Sequence, residues 1–372
     1  MRVLHLIKGL GLGGAENLLL AAARHRGDGG VLYEVGYFLP WKNALVEPIR
    51  SAGAPVTCFP ARTGAGVVLR APAVASHLRS REIDLVHCHL PLAGVAGRLA
   101  GRLAHVPVVY TEHNVMERYH PLTRLANLWT WRLQEQVVAV SAEVAGSIAR
   151  HAGSAVPVRV VTNGVPVDRL RPDPEAGAAV RGRLGIPAGA PVVGQVAVFR
   201  RQKRLDLWLR AAEAVRRRHP DARFLLVGDG PLRSEVETLA RGPALEGAVH
   251  LPGLQEEVGP YLAAMDVLMV SSEFEGLPLV VLEAMAMEVP VAATAVGGIP
   301  EAVADGETGR LVPAGDAGAL AAAVAGLLAD AELRRALGRA ARRRVAERFS
   351  TERMVVELET LYREVLDRAR RA

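Results

Sequence analysis

Apolar residues along this chain gather into short runs separated by stretches with leucine and alanine at helical spacing. Residues 2–7 form the first run and read as a buried strand. A glycine loop, residues 9–14, follows, and residues 15–25 then place leucines at the three- and four-residue steps of a helix. Residues 33–39, 84–89, 106–111, 137–140 and 158–161 read as further strands, with helical stretches between most of them. Strands and helices alternating at this pitch predict an α/β chain, with parallel sheets covered by helices on both faces.

The pattern breaks at residues 166–191. Pro166, Pro172, Pro174, Pro187 and Pro191 crowd this stretch, which reads as an inter-domain linker. Then the alternation restarts. Residues 192–198 read as a strand, 205–218 as a helix, and 224–227 as a strand ending in Gly228-Asp229-Gly230. Residues 250–251, 267–270, 290–293 and 311–312 continue the series. The chain therefore divides into a first αβ domain over 1–165, a linker over 166–191 and a second αβ domain over 192–350. Residues 351–372 form a charged amphipathic helix that can fold back onto the first domain. Parallel αβ sheets take ligands at the carboxyl ends of their strands, so loops directly after strands carry the candidate chemistry, and two such sheets facing each other would enclose a cleft.

Composition narrows this picture. Half of the 372 residues are hydrophobic and 23% are charged, which excludes global disorder. Aromatics are only 4%, so the core is aliphatic. No uncharged run reaches the ~18 residues of a membrane span. The first residues carry Arg2, Lys8 and Glu16 and lack a signal peptide's long apolar stretch. Cys58 and Cys88 make neither a disulfide framework nor a zinc site. The expectation is a protein of a reducing, cytoplasmic compartment. The net charge is +6, and the whole surplus lies in residues 1–165, which hold 17 Lys and Arg against 10 Asp and Glu. That asymmetry points to an anionic partner for the first half, such as a phosphorylated acceptor or an anionic membrane surface. Because 42 of the 45 basic residues are arginine, a compositional bias explains the same numbers. No nucleic-acid-binding motif accompanies the charge.

Gly9, Gly11 and Gly14 fit G-x-G-x-x-G between a strand and a helix, and Glu34 lies 20 residues beyond Gly14. This is the form of a dinucleotide site, although glycine next to a helix N-terminus suits any diphosphate. A stronger signal is the run from Ser271 to Ala286, in which a strand ends, a loop carries Glu275-Gly276-Leu277-Pro278, and a helix begins. A carboxylate at the loop tip can accept hydrogen bonds from sugar hydroxyls. A second one, Glu283, sits among Val280, Val281, Leu282, Ala284 and Met285, where a purely solvated role is a poor fit. The unpaired N–H groups of the first helical turn can hold phosphate. His113 follows an apolar strand, and His87 and His89 flank Cys88 with no further metal-ligand residues nearby in sequence. Residues 118–132 mix Tyr119, His120, Trp129 and Trp131 with arginines, which reads either as an ordinary half-buried helix or as a lipid-facing one.

Taken in order, these pieces resemble the retaining GT-B glycosyltransferases of family 4. Glu275 to Glu283 is similar to that family's E-x7-E signature, and Gly13-Gly14-Ala15-Glu16 to its N-terminal loop. Val140-Ser141 with Thr162-Asn163-Gly164-Val165, the basic run Phe199 to Arg204, Leu226 to Gly230, Gly297 to Glu301 and Asp305 to Gly309 also match, so the likeness covers nearly the whole chain. The resemblance implies two Rossmann-like domains and a nucleotide diphosphate sugar as donor. It implies Gly13, Gly14, Arg200, Lys203, Glu275, Gly276, Leu277, Glu283 and Glu301 as donor-binding residues, with Arg200, Lys203, Glu275 and His113 catalytic. The family often has an arginine where Val198 stands, so Arg200 is taken to replace it, with Arg201 and Arg204 as competitors. The chain contains no Asp-x-Asp, and no metal or other cofactor is expected. The implied product is an envelope polysaccharide, lipopolysaccharide or glycolipid, made at or near the inner face of the membrane. An NAD-dependent dehydrogenase, a sugar-nucleotide epimerase of the same fold and a non-catalytic nucleotide-sugar-binding protein are the alternatives.

Overall fold

The structure is a computed structural model that describes residues 1–25 and 30–371. The chain forms two compact units. One comprises Met1–Gly164 together with the C-terminal helix, and the other comprises Val165–Ser350. The last expected helical residue, Ala372, lies outside the described residues.

In the N-terminal unit the strands are β1 (Arg2–Ile7), β2 (Leu32–Tyr37), β3 (Val56–Cys58), β4 (Leu85–His89), β5 (Val108–Glu112), β6 (Gln136–Ala139) and β7 (Val158–Val160). They make a seven-stranded sheet in the order β3-β2-β1-β4-β5-β6-β7, parallel throughout. The edge strand β3 has only three residues, too few to show an alternation in the sequence. β4 and β5 are buried along their whole length, as central strands covered on both faces must be. Helix Pro91–Ala104 lies against these strands through glycines. A Cβ at Gly97 would stand 2.1 Å from Cys88 Sγ, so no larger residue fits there without moving the helix.

The C-terminal unit repeats the plan with β8 (Val192–Val196), β9 (Arg223–Val227), β10 (Val249–Gly253), β11 (Val267–Val270), β12 (Val291–Thr294) and β13 (Gly309–Val312). Their order is β10-β9-β8-β11-β12-β13, again all parallel. Its aliphatic core is centred on Trp208, whose indole N–H donates to the Met269 carbonyl at 2.8 Å. The order of strands reverses between β1 and β4 in the first unit and between β8 and β11 in the second. These are the positions where an open αβ sheet leaves a crevice at its carboxyl edge.

Residues 166–191, expected as a linker, fold into the second unit. Asp173 accepts from Ala176 N at 2.9 Å and caps helix Pro174–Arg183, with Pro174 at the first turn where its missing N–H costs nothing. Arg181 then binds the Ala264 carbonyl and Asp266, both at 2.9 Å. The prolines therefore start a helix and shape its flanking turns as well as ending strands. Helix Thr351–Arg371 packs in the first unit, where Tyr362 reaches His87, Glu359 meets Tyr33, and Arg353 holds the Thr162 carbonyl and hydroxyl.

Candidate functional site

In the C-terminal unit the sequence candidates gather behind β8 and β11. The loop after β8 is held by the glycine pair after β9. A Cβ on Gly228 would stand 1.9 Å from the Ala197 carbonyl oxygen, and one on Gly230 2.7 Å from the backbone of Phe199. Their absence lets Phe199 N donate to the Asp229 carbonyl at 2.9 Å. Arg200 follows at the surface, and a 3-10 turn, Arg201–Lys203, brings Lys203 inward. The Ser271 hydroxyl donates to the carbonyls of Lys203 and Arg204 at 2.8 and 3.0 Å, and Glu273 N donates to the Gln202 carbonyl at 2.8 Å, so the two loops are bound together.

The result is a buried ion pair. Lys203 Nζ lies 2.6 Å from Glu275 Oε1, and the Ser272 hydroxyl donates to the same oxygen at 2.6 Å. The side chains of Lys203 and Glu275 are only 16% and 7% exposed, which makes this a desolvated pair rather than a surface contact. Gly276 accepts from Gly298 N at 2.6 Å. Gly297, at φ +56°, crosses over Glu275 so closely that a Cβ would lie 1.9 Å from the Glu275 carbonyl oxygen. The Gly297-Gly298 turn therefore fixes the Glu275 loop from above and leads into the short helix Ile299–Ala302, which carries Glu301.

Helix Leu279–Ala286 starts directly after this loop, and no side chain caps it. Its early N–H groups are thus available donors beside Lys203 and Glu275. Glu283 sits about one turn in, partly exposed, with no hydrogen-bond partner among the described residues. Burial alone pushes its carboxyl up to about 7. A carboxylate held in apolar surroundings without a cation is costly for folding, which fits a group kept for a ligand. Among the competing arginines, Arg204 forms a two-pronged contact with Asp206, with both distances 3.0 Å, and is set aside. Arg200 and Arg201 are exposed.

In the N-terminal unit, Gly13 is the N-cap of helix Gly14–Arg24, and Glu16 folds back over it. The carboxylate already complements the positive end of the helix. Glu34, which a dinucleotide would need for its ribose, is buried instead between Arg81 at 3.0 Å and His77 at 3.3 Å. The G-x-G-x-x-G match thus lacks its acidic partner.

His113 stands at the carboxyl end of β5, half-buried. Its Nε2 lies 3.0 Å from His89 Nδ1, and His89 Nε2 lies 3.0 Å from His5 Nδ1. His87 bonds the hydroxyls of Tyr362 and Thr111, each at 2.6 Å. The reading that nothing joins His87 and His89 is corrected: His5, His87 and His89 have ligand-type atoms within 4.8 Å of one another. The register explains it. His5 pairs with His87 across β1 and β4, and His87 and His89, two residues apart, share one face. A small cavity of about 30 Å³ opens here, lined in part by Leu18, Met354 and Asn163. Burial lowers the basicity of all four rings, His113 to about 4 and His5 to about 3.

The sequence reading also missed Glu112. It is fully buried, accepts from Tyr110 Oη at 2.9 Å and from Tyr119 Oη, and burial pushes it up to about 7. Tyr119 comes from the loop beyond His113, so this carboxyl ties that loop to β5. The following helix, Pro121–Trp129, turns Leu122, Leu125 and Trp129 outward, each at least 65% exposed. No helix among the described residues is long and apolar enough to cross a membrane.

Two parallel αβ sheets, with ligand-type loops at the carboxyl ends of their switch-point strands, are the architecture of the GT-B fold, and the comparisons supply the class, a glycosyltransferase. The family model for group 1 glycosyl transferases matches residues 190–330, and that for glycosyltransferase family 4 matches residues 12–169. The chain is 36% identical over 313 residues to a D-inositol 3-phosphate glycosyltransferase of Saccharomonospora viridis, covering 76% of this chain and 70% of that protein. It is 33% identical over 293 residues to a GDP-mannose-dependent phosphatidylinositol monomannoside mannosyltransferase of Mycolicibacterium smegmatis, covering 74% of this chain and 76% of that one. The Anabaena protein HepE, in complex with UDP and glucose, superposes with a TM-score of 0.87 at 25% identity, over 97% of this chain and 99% of that one. This chain belongs to glycosyltransferase family 4.

Proposed function

We propose that the protein transfers a hexose or N-acetylhexosamine, with retention of configuration, from a nucleotide diphosphate sugar to a glycan or glycolipid acceptor. The observation that carries this reading is the Lys203–Glu275 pair beside the uncapped start of helix Leu279–Ala286. Cation, carboxylate and free N–H donors meet where one element must hold a diphosphate and the next a sugar hydroxyl. HepE, a relative of the same fold, holds UDP and glucose.

In this scheme Glu283 accepts from the ribose diol. Lys203, exposed Arg200 and the helical N–H groups bind the diphosphate, with Gly276 and Leu277 beside it. Glu275, whose Oε1 is engaged by Lys203 and Ser272, offers Oε2 to a hydroxyl of the transferred sugar. Glu301 and the Gly13-Gly14 turn are further donor contacts. The bond from the anomeric carbon to the phosphate oxygen breaks, and its electron pair stays on the diphosphate. The acceptor oxygen bonds the same face of that carbon, and its proton passes to the phosphate oxygen. Preorganised donors at the growing negative charge are worth about 3 kcal/mol each, so basic side chains serve where a metal would otherwise be needed. His113 donates to a hydroxyl of the transferred sugar rather than acting as base.

The acceptor is assigned to lipid-linked or growing glycan at an anionic envelope membrane. Support comes from the outward face of helix Pro121–Trp129 and the exposed Arg118 and Arg132 on either side of it. The test is transfer from UDP-, GDP- and ADP-sugars, with and without chelator, to lipid-extract acceptors. Sugar transferred by the wild type and lowered by about 10²–10³-fold in a folded Glu275→Ala variant supports the reading. Transfer untouched by that substitution, or seen only with added metal, contradicts it.

A further inference from the structure

We propose that His5, His89 and His113 form a one-way hydrogen-bond relay that fixes His113 as an Nδ1–H donor, with His89 as the positioning residue. The assignment of the oxygen it meets rests on the function proposed above, whereas the tautomer itself does not. A neutral imidazole has one N–H and one lone pair, so each of the two 3.0 Å gaps holds one proton. The relay then has only two directions.

In the first, His5 Nδ1–H donates to His89 Nε2, and His89 Nδ1–H donates to His113 Nε2. His113 then keeps its proton on Nδ1, and His5 Nε2 carries a lone pair. In the reverse direction His113 donates through Nε2, and His5 must carry its proton on Nε2. That atom is buried and has no hydrogen-bond partner among the described residues. A buried N–H without an acceptor is the rarer and costlier defect, so the first direction prevails. Desolvation keeps His5, His89 and His113 neutral near pH 7, as the counting of protons requires. The alternative, a metal site on His5, His87 and His89, finds both nitrogens of His87 held by Tyr362 and Thr111 and both nitrogens of His89 held by neighbouring rings. The geometry is that of a proton-bridged chain rather than an open coordination site.

The consequence is chemical. A ring locked with Nδ1–H outward gives a hydrogen bond to an oxygen and cannot take a proton there. The test uses the full chain labelled with 15N-histidine at pH 7.5, with His113→Gln serving only to identify the signal. Long-range 15N–1H correlations are expected to show His113 protonated at Nδ1 in the wild type. In His89→Phe the signal should move toward the Nε2–H form that free imidazole prefers. The same variant should lose on the order of tenfold in kcat, with donor KM changed less, as when an outer partner of a functional histidine is removed. A wild-type His113 protonated at Nε2 overturns the inference whatever the activity, and needs no variant to fold. Stoichiometric zinc uptake by the His5, His87 and His89 rings overturns it as well.

Discussion

The two switch-point regions of this transferase are organised by opposite physics. Behind β8 and β11 the side chains are charged: Lys203 meets Glu275 at 2.6 Å, and Glu283 is an uncompensated carboxyl. At the ends of β1, β4 and β5 the histidine cluster is neutral: rings and hydroxyls linked at 2.6 to 3.0 Å, with burial holding His5, His87, His89 and His113 below their usual basicity. The charged region suits a ligand that brings charge, whose binding would recover the cost to the empty fold. The neutral region suits a sugar, whose hydroxyls are oriented by directional hydrogen bonds. In the proposed function a diphosphate is assigned to the first, and the uncharged sugar ring to the second.

The comparison breaks most sharply at the charged pair. Lys203→Ala and Glu275→Ala are each expected to lower transfer by about 10²–10³-fold, the usual effect of losing one preorganised group. Each also strands a buried charge, so the double variant Lys203→Met/Glu275→Gln is the control. It should regain stability, measured by denaturant unfolding, without regaining activity. Recovery of activity would make the pair merely structural.

Glu283→Gln comes next. The folded state holds this carboxyl at about 7 instead of 4.5, so the fold prefers it protonated. Its own contribution to stability then falls as pH rises from about 4.5 to about 7, while the buried histidines slope the other way, so it is read as the difference between wild type and variant. The glutamine variant should match the wild type near pH 4 and exceed it at pH 8, by on the order of 2 kcal/mol, while binding nucleoside diphosphate at least about tenfold more weakly. Glu112, raised to about 7 by burial as well, contributes a similar fall in that variant, and Glu112→Gln should remove that contribution. Gly297→Ala should cost about 1–3 kcal/mol, because φ +56° and the Glu275 carbonyl both oppose a Cβ. Smallest in solution is Trp129→Ser, within ~0.5 kcal/mol of wild type by unfolding. Its effect should be confined to weaker flotation with anionic vesicles.

The charged region was legible in the sequence because its parts are contiguous. Ser272, Glu275 and Glu283 lie within one strand-loop-helix, and Lys203 within one basic run. The neutral region was not, because His5, His87, His89, His113 and Tyr362 meet only once β1, β4, β5 and the last helix are assembled. His5 lies in an apolar run and gives no signal of its own. Proline density misled over 166–191, since Pro174 begins a helix that packs in the second unit. Spacing alone could not show that Glu34 is claimed by Arg81 and His77, which leaves the glycine loop without its ribose acceptor.

The central claim is that the Lys203–Glu275 region holds a nucleoside diphosphate through its phosphates. Calorimetric titration of UDP, GDP and ADP, each against its monophosphate, into wild type and Lys203→Ala in the presence of chelator tests it most directly. The account predicts that one diphosphate binds the wild type, that its monophosphate binds more weakly, and that the variant loses most of that difference. Equal affinity of wild type and variant for the diphosphate, or binding that appears only when metal is restored, would contradict it.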